Sequence, residues 1–480
     1  MSSGELFFIA VYSLFAFGAA VVVILAFAGG LHFEPYLRKV AAAMLPVLAV
    51  VGVTASTLLS GRNASLYGLT GSLSEGGGNS ATVWVLRLIT ATAVGSATLL
   101  VVSNLVRWAP VKTAARPLFL AFALYFFAGY VASAVLGTDF SLSHKTFYPL
   151  LIVLALYMTS DLPPGLLLRT VRELLLVILV VGLLMIVVKP AMVLQDGYRG
   201  FIPGLHYRYW GLASHANNVG PLAIFFLLIV GLAPYKRRWL VGLATVVALT
   251  TLVLSQSKTA ILAAALIGVL LVFRKWLSTV ADKSFKPAGN LIAVALAMVA
   301  FAGLFGVIIY IANSPSDPFS VLADRIRHGG TLFTGREHIW NITFSEWRRS
   351  PIFGYGPNIW GDEFSYQHGY AGIATNAHNQ FIDTLGGAGL FGVLGLVVYM
   401  LMLARYALLL APQTRWISVA MFLFFVMRSL TEVPLKVVNI TTSDFFMHAV
   451  MLAIFMRAAQ QLPARPSSVF RPVLRSAYSA

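Results

Sequence analysis

The chain has 480 residues, of which 59% are hydrophobic and only 11% charged, with a formal net charge of +17. Repeated apolar runs of bilayer-spanning length exclude an ordinary soluble enzyme and predict an all-α, polytopic membrane protein. The absence of cysteine removes disulfides, thiolate catalysis and thiolate metal sites, so His, Arg, Lys and carboxylates are left to carry any chemistry.

In chain order, the N-terminus Met1-Ser2-Ser3-Gly4-Glu5 lacks the basic region of a cleavable signal. The apolar run at 7–29 is too long for a signal core and reads as the first span. Further apolar runs fall near 40–59, 82–106, 117–136, 146–159, 173–188, 216–233, 239–254, 259–273, 290–312, 380–410, 416–431 and 444–460. Together they predict about 12 to 13 transmembrane helices. Residues 1–480 thus form one integral membrane domain, interrupted by a large loop at 313–379 and closed by a basic tail at 461–480.

Charge sets the orientation, because short cytoplasmic loops collect Lys and Arg. Arg38 and Lys39, Arg107 to Arg116, Arg169 and Arg172, Lys236 to Arg238, Arg274 to Lys286, Arg405 and Arg415, and the tail arginines occupy every second loop. That side is read as cytoplasm. The net charge is then a topology signal, and no basic stripe interleaved with stacking aromatics calls for a nucleic acid. The loops at 60–81, 137–145, 189–215, 255–258, 313–379 and 432–443 face outward, to the periplasm if the chain sits in a bacterial inner membrane.

The outward loops hold the polar clusters. His206-Tyr207-Arg208-Tyr209-Trp210 leads through His215, Ala216 and Asn217 into a helix, and Ser255-Gln256-Ser257-Lys258 forms a tight turn. The large loop carries Thr334-Gly335-Arg336-Glu337-His338-Ile339-Trp340, Pro351-Ile352-Phe353-Gly354-Tyr355-Gly356 and Thr375-Asn376-Ala377-His378-Asn379-Gln380. Arg208, Lys258 and Arg336 on one face with His378 suit an anionic ligand that has an apolar or sugar body, such as a pyrophosphate on a lipid carrier.

His378 is expected in the first turn of its helix, capped by Thr375 or Asn376. There the helix dipole and nearby arginines keep it neutral and able to accept a proton. The bland alternative is a helix-end histidine satisfied by solvent, and for the arginines, contact with lipid headgroups. His215, Asn217 and Asn379 complete the polar set. Trp340 and Tyr355 read equally as a sugar-stacking platform or an interfacial belt. Arg428 and Glu432, four residues apart, read as a structural pair. Asp362-Glu363 lacks further ligands at metal spacing, so neither a metal nor another cofactor is expected.

In this order and on one face, these motifs resemble the O-antigen ligase and Wzy-type polymerase superfamily over residues 200–440. So does Ala377-His378-Asn379-Gln380-Phe381-Ile382-Asp383-Thr384-Leu385-Gly386-Gly387-Ala388-Gly389. The resemblance implies a GT-C-like membrane glycosyltransferase that takes a glycan from undecaprenyl diphosphate without a metal. His378 would be the general base, with Arg208 and Arg336 on the diphosphate. Lys258 stands where the resemblance leads one to expect arginine. The acceptor would be another lipid-linked glycan in a polymerase or the lipid A core in a ligase, and the run from Thr334 through Gly356 resembles exopolysaccharide polymerases. A flippase and a chain-length regulator are the implied protein partners. A transporter of the same lipid-linked glycan is the alternative of a different class.

Overall fold

The structure is a computed structural model that describes residues 29–30, 34–66, 80–107, 113–198, 202, 204–275, 336–369 and 374–462. All but the last residue of the predicted span at 7–29, the whole of that at 290–312, Thr334-Gly335 and nearly all of the basic tail lie outside the described residues.

What is described is mostly helical with almost no strand, as a lipid environment requires: with no water to satisfy them, backbone groups must pair within each segment. Ser80–Val106, Arg116–Leu136, Gly165–Val188 and Gln380–Leu409 are long and apolar enough to cross a membrane. Pro35–Met44 and Val47–Leu59 meet at a 50° bend and form a fifth if taken together. Pro46 sits at that bend and supplies no amide to the helical ladder. Shorter apolar helices include Ala216–Leu232, Arg238–Leu254, Lys258–Val272 and Ile417–Ser429.

The innermost helix is Ser443–Gln460, nearly all of whose side chains are buried. Around His448 lie the rings of Phe122, Tyr399 and Phe425, with centroids 5.7–5.9 Å away. The perimeter instead exposes Leu88, Val177, Leu184, Val246 and Leu394, an apolar skin suited to lipid.

Two kinds of loop contact mark the two ends of the bundle. At one end Arg38 grips Asp161 with two 3.0 Å bonds and Asn104 with a third at 2.7 Å. There too Arg457 reaches the Ala42 carbonyl, and Arg172 holds Glu173 and the Ala233 carbonyl. Successive described helices leave this basic end and return to it, as the alternation of Lys and Arg along the sequence predicts. The opposite end gathers Arg62, Arg208, His378, Glu432 and Lys436. The large loop is not structureless there: it contains the helices Arg336–Arg349 and Asp362–Gln367 and a small core of its own around Ile339, Ile359, Trp360 and Phe364.

Candidate active site

Arg208 is placed by a short antiparallel ribbon, Leu194–Asp196 (β1) against Tyr207–Tyr209 (β2), with Gln195 opposite Arg208. The turn after β2 is pinned by Arg62. Its guanidinium donates to the carbonyls of Met192 (3.0 Å), Gly211 (2.7 Å) and Ala213 (2.6 Å), with the Trp210 ring 5.5 Å away. One buried cation thereby ties two carbonyls of the turn to that of Met192 in the short helix Pro190–Val193. Burial lowers its pKa to about 10, so it stays charged at neutral pH. Arg208 then donates from Nε to the Ser255 carbonyl (3.0 Å) and from a terminal nitrogen to Asn217 Oδ1 (2.5 Å), and lies over the Tyr198 ring.

His215 caps the helix Ala216–Leu232: its Nδ1 accepts the Asn217 amide at 3.1 Å. Burial first, and then the Arg208 charge, push its pKa down to about 4. His215 is therefore a neutral cap with its proton on Nε2. The side chain of Asn217 makes the link across the site, because Nδ2 donates to Glu432 Oε1 at 2.8 Å while Oδ1 accepts Arg208.

Glu432 Oε2 lies 3.0 Å from His378 Nδ1. Burial alone would raise the carboxyl's pKa. The hydrogen bond with His378 and the positive charges of Arg336 and Arg428 outweigh that and hold it at about 2. The carboxylate is thus ionised and can only accept, so His378 donates to it from Nδ1. Arg336 donates to the Thr431 carbonyl at 3.2 Å, one residue from Glu432; burial lowers its pKa and the carboxylate opposes that shift.

Two expectations are corrected here. His378 is not in the first turn of its helix: it precedes the cap, in the left-handed region at φ +48°. Its amide donates to Asn376 Oδ1 (2.7 Å), and the helix cap is Asn379, whose Oδ1 accepts the Phe381 and Ile382 amides. Asn379 is therefore a structural cap that also donates to the Leu430 carbonyl at 3.4 Å. Nor is Glu432 the ion-pair partner of Arg428, which bridges Asp444 at 2.8 Å and Asn218 at 3.0 Å. The helix Ile417–Ser429 ends before Glu432; the Glu432 amide still donates to the Arg428 carbonyl at 2.7 Å, but its carboxylate turns toward His378.

The segment before His378 is braced from beneath. Asp383 Oδ1 accepts the Ala377 amide at 2.9 Å, Oδ2 pairs with Lys436 at 3.1 Å, and Trp340 Nε1 donates to the Ala377 carbonyl at 2.8 Å. Trp340 is thus a backbone support. Tyr355 packs edge-on against Phe364, with ring centroids 4.8 Å apart, in the loop's own core. Its neighbours Gly354 and Gly356 let the loop lie directly on a break in the following helix. Tyr355 and Gly356 donate to the carbonyls of Gly386 and Gly387, and Leu390 and Phe391 to those of Pro351 and Ile352. Gly389 makes that break at φ +59°, and a Cβ on it would lie 2.3 Å from the Ile352 carbonyl carbon. The two glycine motifs are one backbone joint. Lys258 opens the helix Lys258–Val272, three residues beyond the carbonyl that anchors Arg208.

The structure thus brings Arg208, His215, Asn217, Arg336, His378 and Asn379 to one place. The sequence reading missed Glu432 as their centre, and Arg62, Asp383 and Lys436 as their supports. The one signal for Glu432 was a lone acid in an outward loop, two residues before Pro434.

Residues 243–397 match the model of the O-antigen ligase family (Wzy_C). The matched stretch takes in the Ser255 to Lys258 turn, Arg336 and His378, and stops short of Glu432. No curated protein matches the chain. The match spans 155 of the 480 residues and, with the helical membrane fold, supports a place in the O-antigen ligase and Wzy-type polymerase superfamily, a family that implies a lipid-linked glycan substrate in a membrane.

Proposed function

We propose that the chain polymerises undecaprenyl-diphosphate-linked oligosaccharide repeat units at the periplasmic face of the bacterial inner membrane, as an inverting glycosyltransferase that needs no metal ion. The observation that carries this reading is the continuous path from Arg208 through Asn217 and Glu432 to His378, with Arg336 beside it. Ionised Glu432 holds Nδ1–H and leaves the Nε2 lone pair of His378 for an acceptor hydroxyl. The hydroxyl proton passes to Nε2 as its oxygen bonds to the anomeric carbon. The bond from that carbon to the diphosphate breaks, and the electron pair leaves on the diphosphate, where the Arg208 and Arg336 charges stabilise it. A single displacement inverts the anomeric centre. Glu432 balances the charge that the imidazole gains, as the acid does in a serine-hydrolase triad.

The same chemistry serves a ligase, and the polymerase reading is preferred on the resemblance of residues 334–356 to exopolysaccharide polymerases. A transporter is disfavoured because these polar groups gather in loops at one end of the helices, whereas transporters place them at broken helices near the midplane. Removing the protein from its host and analysing the lipid-linked glycans tests this. Single repeat units accumulating on the outer side support the polymerase; long unattached chains mean a ligase, and single units held on the inner side mean a flippase.

A further inference from the structure

At the same end of the bundle, beside the His378 site, lies a cleft of about 700 Å³. It runs between the start of the helix Ser80–Val106, the segment 141–148, Pro357-Asn358 of the large loop, and residues 437–440. Its lining mixes apolar side chains with two cations, Arg87 and Lys145, and with Thr146, Asn358 and Asn439. Both cations are exposed, and among the described residues neither has a carboxylate within ion-pair distance.

Arg87 stands in the early turns of a helix long and apolar enough to cross a membrane. A charge in such a segment is costly and is retained where it meets an anion or a water-filled site. Its neighbours Trp84 and Leu88 are 66% and 68% exposed, and the Arg87 guanidinium lies 5.1 Å from the Trp84 ring centroid. That edge of the helix therefore meets lipid, with the aromatic ring and the cation together as they are at a membrane interface. The opposite wall of the cleft reaches toward the active site. Tyr130 and Pro357 line both the cleft and a small adjoining cavity of about 20 Å³, which Asp383 and Lys436 also line. Asp383 holds the Ala377 amide next to His378. The cleft thus joins a lipid-facing edge, two cations and a set of amide and hydroxyl groups, and it stops at the brace of the catalytic histidine.

We infer that Arg87 and Lys145 form a second lipid-phosphate site, which anchors the head of the acceptor, a polyprenyl-diphosphate glycolipid, while Arg208 and Arg336 hold the donor. The polyprenyl chain lies against the apolar edge of the helix Ser80–Val106. The acceptor sugars run past Asn358 and Asn439 toward His378. This inference rests on the polymerase reading, in which both substrates carry a lipid diphosphate.

The test is a binding measurement that needs no turnover. The full chain is placed in nanodiscs of zwitterionic lipid and titrated with undecaprenyl diphosphate, and the bound equivalents are counted by native mass spectrometry. Two equivalents are expected. Arg87→Ala/Lys145→Ala and the size-conserving Arg87→Gln/Lys145→Gln should each weaken one of them by at least about ten-fold, the loss expected from removing charge-assisted bonds. Arg208→Ala/Arg336→Ala should weaken the other. A single equivalent that depends only on Arg208 and Arg336 would overturn the inference and leave the donor site standing. Displacement of the Arg87-dependent equivalent by equimolar phosphatidylglycerol would overturn it too, by showing a general lipid contact. No equivalent dependent on Arg208 and Arg336 would count instead against the function proposed above.

Discussion

Replacing Glu432 with Gln perturbs the site in a way that the hydrogen-bond pattern determines. The carboxylate faces two groups: Asn217 Nδ2, which can only donate, at 2.8 Å, and His378 Nδ1 at 3.0 Å. A glutamine there turns its carbonyl oxygen to Asn217 and hence its NH₂ to His378. Nδ1 must then accept, which moves the imidazole proton to Nε2 and occupies the atom that has to take the acceptor proton. The substitution also removes the charge that balances the imidazolium. Loss of the tautomer and of that charge together should lower turnover by about 10² to 10⁴-fold, or about 3 to 5 kcal/mol in barrier height, with the fold little changed. Because Glu432 is held at about 2, it remains ionised across the working range. The acid limb of the rate profile in the unaltered protein therefore does not report Glu432, and no loss from its protonation is expected between pH 4 and 9. The assay is polymer formation from purified lipid-linked repeat units at matched protein level, with Glu432→Asp as the variant that keeps the charge and recovers part of the rate. A Glu432→Gln protein within about threefold of the unaltered rate would refute the reasoning.

Two further outcomes follow from the geometry. Arg208→Ala and Arg336→Ala should each cost about 10² to 10³-fold, with Lys recovering only part, since an ammonium cannot bind two phosphate oxygens as a guanidinium fork does; full recovery by Lys would reduce both to point charges. Because the chain has no cysteine, single substitutions report sidedness cleanly. Asn439→Cys should react with a membrane-impermeant maleimide in intact cells and Arg237→Cys only after the membrane is opened, and the reverse pattern would invert the topology.

Much of the architecture is legible in the chain because apolar run length and the placement of Lys and Arg act locally. The runs from 82 to 106 and from 380 to 410 become helices close to those bounds, and the basic loops collect at one end. Arg208, Arg336 and His378, the residues proposed to form the site, were legible as polar types in loops. Their organisation was not, because it depends on contacts between distant segments: Glu432 reaches back to Asn217 and His378, and Lys436 to Asp383. The pairing of Arg428 with Glu432 was misread because the spacing fixes only the backbone contact, which is made at 2.7 Å, while Arg428 turns to Asp444 and Glu432 to His378, partners that lie elsewhere in the sequence. Tyr355 shows the converse. A turn rich in glycine and aromatics reads equally as a sugar platform or an interfacial belt, and neither reading shows that its glycines serve the backbone joint at Gly386 to Gly389.

The central claim is that His378 takes the acceptor proton in a transfer from a lipid diphosphate, and the most direct test is single-turnover polymerisation by the purified protein. Lipid-linked repeat units are supplied in excess chelator, and His378→Ala is compared with the unaltered chain for donor binding and for product length. The account predicts that the unaltered protein makes polymer without added divalent ion. It also predicts that His378→Ala binds donor equally well and turns over about 10² to 10⁴-fold more slowly. A correctly inserted His378→Ala protein that polymerises at the unaltered rate would contradict it, as would turnover that appears only when Mg²⁺ or Mn²⁺ is restored.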